Sequence, residues 1–187
     1  MEPIFRVDGD RVVTSPDAAG PWDPRMQHGS APAALVVWAA EAIPTPVPMR
    51  IARVTIDLMR PVPVAPLTVS SEILRDGRKI QLCGVRLLAD GVLVVSATVL
   101  KIKRQAAELP SDIAAVQVEL PGPDESMVEP GNLANSPFVK CISMRAARGR
   151  FGVMGPGAIW FRVNQPLIAG AAVSQAMRAV GASDFSN

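Results

Sequence analysis

The chain has 187 residues, 49% of them apolar, which allows one large domain or one domain and part of a second. Its formal net charge of +2 comes from charges of both signs mixed along the chain, with no Lys/Arg block and interleaved aromatics to suggest nucleic acid. The start "MEPIFRVDGD" lacks the basic and apolar runs of a signal peptide, and no stretch is long enough to span a bilayer.

Asp8-Gly9 lies between two short β-prone runs and predicts a hairpin. "MQHGSAPAALVVWAAEAIPTPVP" then reads as a helix, with Ser30 as N-cap, Pro32 in the first turn and Pro44 as its end. Residues 33–40 carry no polar side chain, so this helix must be surrounded by protein. "RVTIDLM" alternates, placing Val54, Ile56 and Leu58 on one face. Three long strands follow, joined at Asp76-Gly77 and Asp90-Gly91. "KIKRQ", residues 101–105, reads as their solvated end. The expected class is α+β, an antiparallel sheet wrapped around a central helix.

Residues 105–137 are rich in Pro, Gly and acids and read as a linker between a first domain, 1–104, and the start of a second, 138–187. The closing segment partly repeats the first helix: with Gly170 placed on Gly29, both copies have a small-residue start and an Ala/Val-rich helix. Ile43 then occupies the place of Asp184, which leaves the first copy without a carboxylate and predicts a single active half. A buried-type helix needs a sheet to cover it. The expected partner is therefore a second polypeptide segment that completes the second sheet, with truncation and strand swapping between copies as the other readings of the end at Asn187. A homo-oligomer is also expected. Asparagine can cyclise onto its own carbonyl, so Asn187 is a candidate cleavage position, with an outside protease as the plain rival.

Cys83 and Cys141 lie in strand-like apolar surroundings and are expected as two buried thiols, which fits the cytosol. One His and two distant Cys form no ligand cluster, so no metal is expected, nor any cofactor beyond coenzyme A as part of a substrate.

The stretches "QHGSAPAAL", "TIDLMRPVPVAPLTVSSEILRDGRKIQL" and "AIWFRVNQPLIAG…ASDF" resemble the double hot-dog acyl-CoA thioesterases of the thioesterase II-like group. The resemblance implies a tandem double hot-dog whose second copy is incomplete in this chain, hydrolysing fatty acyl-CoA. It also implies that Asp184, in "SDFSN", holds and activates a water together with a Thr and a Gln from later strands, neither of which can be placed here. Read from local sequence alone, Asp184 is a solvent-exposed loop acid, and it is the resemblance that turns the reading to catalysis. His28 either lines the acyl or pantetheine channel, orients a ligand at the helix N-terminus, or packs at a domain interface with a backbone hydrogen bond. Gly29 permits close backbone approach, Ser30 opens the same helix, and Arg60 could meet a coenzyme A phosphate or be a strand-edge charge; all four are candidate substrate-binding residues. No "GxSxG" elbow is present. The rival functions are an acyl-binding or assembly protein without turnover, and an enzyme whose nucleophile is exposed by cleavage.

Overall fold

The computed structural model describes residues 2–106, 108, 110, 119–129 and 136–186. Asn187, the candidate cleavage position, lies outside the described residues, as does much of the segment read as a linker.

Among the described residues, two antiparallel sheets and three α-helices make up the fold. The first hairpin pairs β1 (Phe5–Asp8) with β2 (Arg11–Thr14). Helix α1 (Ser30–Ala42) follows, then β3 (Met49–Leu58), β4 (Leu67–Asp76), β5 (Ile80–Ala89) and β6 (Val92–Lys103). The six strands form one sheet in the order β1-β2-β4-β5-β6-β3. The β5–β6 connection is a two-residue turn at Asp90 and Gly91, with φ of 47° and 75°. That left-handed pair matches the right-handed twist of the strands it joins. The β4–β5 turn is wider, because Asp76 pairs with Gln81.

Helix α1 is sequestered as its composition requires. Every residue from Ser30 to Val37 is buried, and α1 packs on β3, β4, β5 and β6. Leu35, Val36 and Val37 meet a sheet face that includes Cys83, Val85, Leu87, Val95 and Val99. Burying a side chain such as Leu35 contributes about 1.5–3 kcal/mol. Pro44 forces the preceding Ile43 into an extended conformation, φ −70° and ψ 122°, which ends the helix.

Two sequence expectations need correction here. Ser30 is not the N-cap: Gly29 holds that place, and the Ser30 hydroxyl is buried without a hydrogen-bond partner among the described residues. The first-turn amides turn to other groups instead. Nor is Lys101 part of a solvated strand end, since it is 4% exposed. Its ammonium donates to the carbonyl of Ile43 at 2.8 Å and to Gln81 Oε1 at 3.1 Å, while Gln81 Nε2 donates to the carbonyl of Pro44 at 2.9 Å. The pair ties the C-terminal end of α1 to the sheet, and burial pushes the Lys101 pKa down. Lys101→Ala is expected to cost about 1–3 kcal/mol in urea-induced unfolding, because the buried Gln81 Oε1 and the part-buried Ile43 carbonyl lose their donor.

The second unit begins within the segment read as a linker. Strand β7 (Met127–Val128) pairs with β8 (Ile142–Arg148), which pairs with β9 (Ala158–Val163). A single helical turn, α2 (Pro137–Lys140), precedes β8, and α3 (Gln175–Ser183) follows β9 and packs on α1. The repeat register also shifts: α1 starts at Ser30, directly after Gly29, but α3 starts at Gln175, well after Gly170. Their C-terminal ends still correspond, with Ile43 and Asp184 each in the C-cap position. The two units are stitched together along β1, where Ile4 and Phe5 amides donate to the carbonyls of Pro166 and Leu167 and Ala169 donates back to Phe5. Cys83 and Cys141 are free and buried.

Candidate active site

The site forms where the C-terminal end of α3 meets the N-terminal end of α1. Asp184 Oδ2 lies 3.1 Å from His28 Nδ1, with side-chain exposures of 32% and 10%. The Ser30 amide nitrogen also lies 3.2 Å from Nδ1. One ring nitrogen cannot both donate to the carboxylate and accept from the amide. The carboxylate settles the choice, since an acceptor-only group facing Nδ1 selects the tautomer protonated there. The Ser30 amide then serves the same carboxylate.

The electrostatics agree with this arrangement. The Asp184 carboxyl is held below the usual carboxylate range, first by the hydrogen bond from His28, then by the ring's proximity and the Ser30 amide; partial burial opposes the shift. The positive end of the α1 dipole favours the same negative charge.

Backbone geometry makes the approach possible. A Cβ on Gly29 would lie 2.8 Å from Asp184 Oδ2 and 3.1 Å from Oδ1 and Cγ. His28 is fixed from behind, its amide donating to the carbonyl of Ala18 at 2.9 Å. Its ring is stacked between Phe138, at 5.0 Å, and Phe185, at 4.7 Å. Phe185 in turn meets Phe151 and Phe161, at 6.0 and 5.2 Å. Four of the chain's five Phe residues thus form one aromatic cluster with the histidine, two of them stacked on its ring.

Of the residues singled out in the sequence, the structure brings together His28, Gly29, Ser30 and Asp184 across a separation of more than 150 positions. His28 packs between rings of the second unit, as in the interface reading, and it also faces Asp184, a contact not expected from the sequence. Arg60 is placed apart: it is exposed beyond β3, its amide donating to the carbonyl of Val94, and no hydrogen bond or ion pair joins it to the cluster among the described residues. Sequence reasoning missed the aromatic sandwich, although Phe185 stood next to Asp184 in the quoted motif. The thiols offer no competing nucleophile, since burial pushes Cys141 up to about 11 and Cys83 in the same direction. Among the described residues no group of His, Cys, Asp and Glu is placed to hold a metal ion. No helix among the described residues is long and apolar enough to cross a membrane.

Comparison with known proteins bears on both units. Residues 18–102 match the family described as the acyl-CoA thioesterase N-terminal domain. No curated protein is similar enough in sequence to count as a match. Among solved structures, a hot-dog protein of unknown function from Alicyclobacillus acidocaldarius is 20% identical and superposes with a TM-score of 0.72, covering 96% of this chain and 66% of its own. A thioesterase candidate from Novosphingobium aromaticivorans is 24% identical with a TM-score of 0.70, covering 99% and 72%. The tesB protein of Mycobacterium avium subspecies paratuberculosis is 16% identical with a TM-score of 0.65, covering 97% and 66%. The chain therefore spans about two thirds of the length of the structures it matches. It has the hot-dog fold, and its residues 18–102 are similar to the acyl-CoA thioesterase N-terminal domain.

Proposed function

We propose that the protein is an acyl-CoA thioesterase in which Asp184 positions the attacking water. The observation that carries this reading is the pairing of the Asp184 carboxylate with His28 Nδ1 at 3.1 Å, at the N-terminal end of an otherwise apolar helix. In the reaction, the water oxygen attacks the thioester carbonyl, the C–S bond breaks and the coenzyme A thiol leaves. A carboxylate held below its ordinary range is a weak proton acceptor, whereas an imidazole is a better one near neutral pH. Asp184 therefore aligns the water and holds the ring, and His28 takes the proton on the nitrogen facing away from the carboxylate. The positive end of the α1 dipole favours the developing oxyanion.

The proposal includes a further segment, on a longer chain or a separate polypeptide, that completes the second sheet and supplies hydroxyl and amide partners for the water. Relatives half as long again as this chain support that part. Two unbridged thiols are compatible with a cytosolic setting.

The test is release of free thiol from a panel of acyl-CoA esters by the full-length protein, read with a thiol reagent. Turnover on at least one ester is the expected result. Tight acyl-CoA binding with no thiol release would replace the enzyme by an acyl-binding protein.

A further inference from the structure

One buried acid stands outside the Asp184–His28 pair. Glu129 follows β7, and its side chain is 1% exposed. Its amide donates to the carbonyl of Met144 at 3.1 Å, which extends the β7–β8 ladder by one residue. That register sets Glu129 opposite the buried Met144 and turns its side chain inward. The stretch before it is tied down along its length. Ser126 Oγ donates to the carbonyl of Gly122 at 2.7 Å, Arg145 to that of Pro123 at 2.9 Å and Trp160 Nε1 to that of Pro121 at 3.1 Å. Residues 121–129 thus form a strap on the second unit, with Glu129 at its inner end. In the order β7-β8-β9, β7 lies across β8 from the free edge of β9, so Glu129 stands away from the edge that a further segment would pair with.

The Glu129 carboxylate serves the backbone of the β8–β9 loop. Its Oε1 accepts from the Phe151 amide at 3.0 Å. Its Oε2 has no hydrogen-bond partner among the described residues and faces the half-exposed Arg150 guanidinium at 3.6 Å. Burying a carboxylate with one oxygen so poorly satisfied is unfavourable, and an apolar side chain would avoid it. The loop shows what the acid is needed for. Gly149, Gly152 and Gly155 have φ of 64°, 72° and 123°, and glycines leave a backbone many alternatives. At the tip Val153 and Met154 are 62% and 100% exposed. Phe151 instead turns inward and meets Phe185 edge-on at 6.0 Å, and the Phe185 ring stacks on His28 at 4.7 Å. Glu129 therefore fixes the amide of the residue through which the loop reaches the site.

We propose that Glu129 is a positioning residue for the Asp184–His28 pair. It fixes the Phe151 amide, Phe151 holds the Phe185 ring, and Phe185 sets the plane of the His28 imidazole. Its effect on turnover rests on the thioesterase reading, whereas its effect on the His28 ring does not.

The test uses the full-length protein with Glu129→Leu, Glu129→Gln and Arg150→Ala. Leucine keeps the apolar bulk and removes the acceptor; glutamine keeps an oxygen for the Phe151 amide and removes the charge. Glu129→Leu is expected to lower kcat for an acyl-CoA ester roughly tenfold with little change in KM, less than the loss from displacing a catalytic group directly. Glu129→Gln should restore most of that loss, and Arg150→Ala should stay near wild type. The readout independent of turnover is the NMR signals of the His28 ring protons, assigned by their absence in His28→Gln. Stacked aromatic rings shift such signals, so Glu129→Leu should move them and Glu129→Gln should leave them in place. Unmoved His28 signals in folded Glu129→Leu would overturn the proposal whether or not the protein hydrolyses thioesters. So would a Glu129→Gln protein as impaired as Glu129→Leu. Should Glu129→Leu not fold, Phe151→Leu carries the same test, and unmoved His28 signals there would equally overturn it. His28 signals that move in a protein releasing no thiol would keep the positioning role and remove the enzyme.

Discussion

Asp184→Asn in the full-length protein is expected to lower kcat for acyl-CoA hydrolysis by roughly 10²–10⁴-fold, with a much smaller change in KM. Asparagine preserves the shape of the side chain and can still accept from the Ser30 amide. It cannot hold the ring as a carboxylate does, because whichever way the amide turns, it removes the charge that selects the Nδ1-protonated tautomer. If Asp184 and His28 act as a unit, adding His28→Gln to Asp184→Asn should cost little beyond the worse single change. Wild-type turnover in Asp184→Asn would sink the mechanism, and strictly multiplicative losses would separate the two residues.

The same substitution carries a signature in acid. The folded-state pKa of Asp184 is lowered from 3.8. Its contribution to stability is therefore fully present above the unfolded-state value, near pH 4, and is lost as pH falls through the folded-state value below that. The stability gap between wild type and Asp184→Asn should accordingly narrow from about pH 4 downward in denaturant titrations. A gap that widens in that range would mean that the carboxylate is not held ionised by its neighbours.

How much of this was legible in the sequence differs by residue. The hairpin chemistry was local: Asp90-Gly91 demands left-handed backbone, and the structure supplies it at both positions. The buried helix was legible because an apolar run with no polar face has no surface arrangement open to it. Lys101 was misread for the complementary reason. Whether a strand-end lysine is solvated depends on which carbonyls the fold brings to it, and Ile43 and Gln81 arrive from far along the chain. Ser30 looked like a cap because hydroxyls usually fill that role; here a histidine and a distant aspartate face the Ser30 amide instead. The members of the site were each visible as residues, but their meeting was not. Periodicity reports which face a side chain occupies on its own element, and the Asp184–His28 contact is made between two elements.

Gly29→Ala is expected to separate stability from catalysis. Gly29 sits at φ −57° and ψ −28°, an ordinary helical conformation that alanine adopts without strain. On backbone grounds alone, alanine at the start of a helix should be neutral or favourable, gaining up to about 0.5–1 kcal/mol through lower unfolded-state entropy. The space argues the other way. The new methyl would stand 2.8 Å from Asp184 Oδ2, closer than real contacts of that kind, so the carboxylate must move. Moving it breaks the 3.1 Å contact with His28 and the approach to the Ser30 amide. A displacement of about 1 Å at a catalytic group can cost on the order of 10²-fold. The expected result is a protein as stable as wild type in thermal unfolding, with kcat reduced by roughly 10- to 100-fold and the Asp184 pKa shifted back upward. Because alanine adds nothing polar and relieves the backbone, lost activity in a fully folded variant would trace to the carboxylate's position. Unchanged kcat would mean that Asp184 can retreat without consequence, and the close approach at Gly29 would then be packing rather than chemistry.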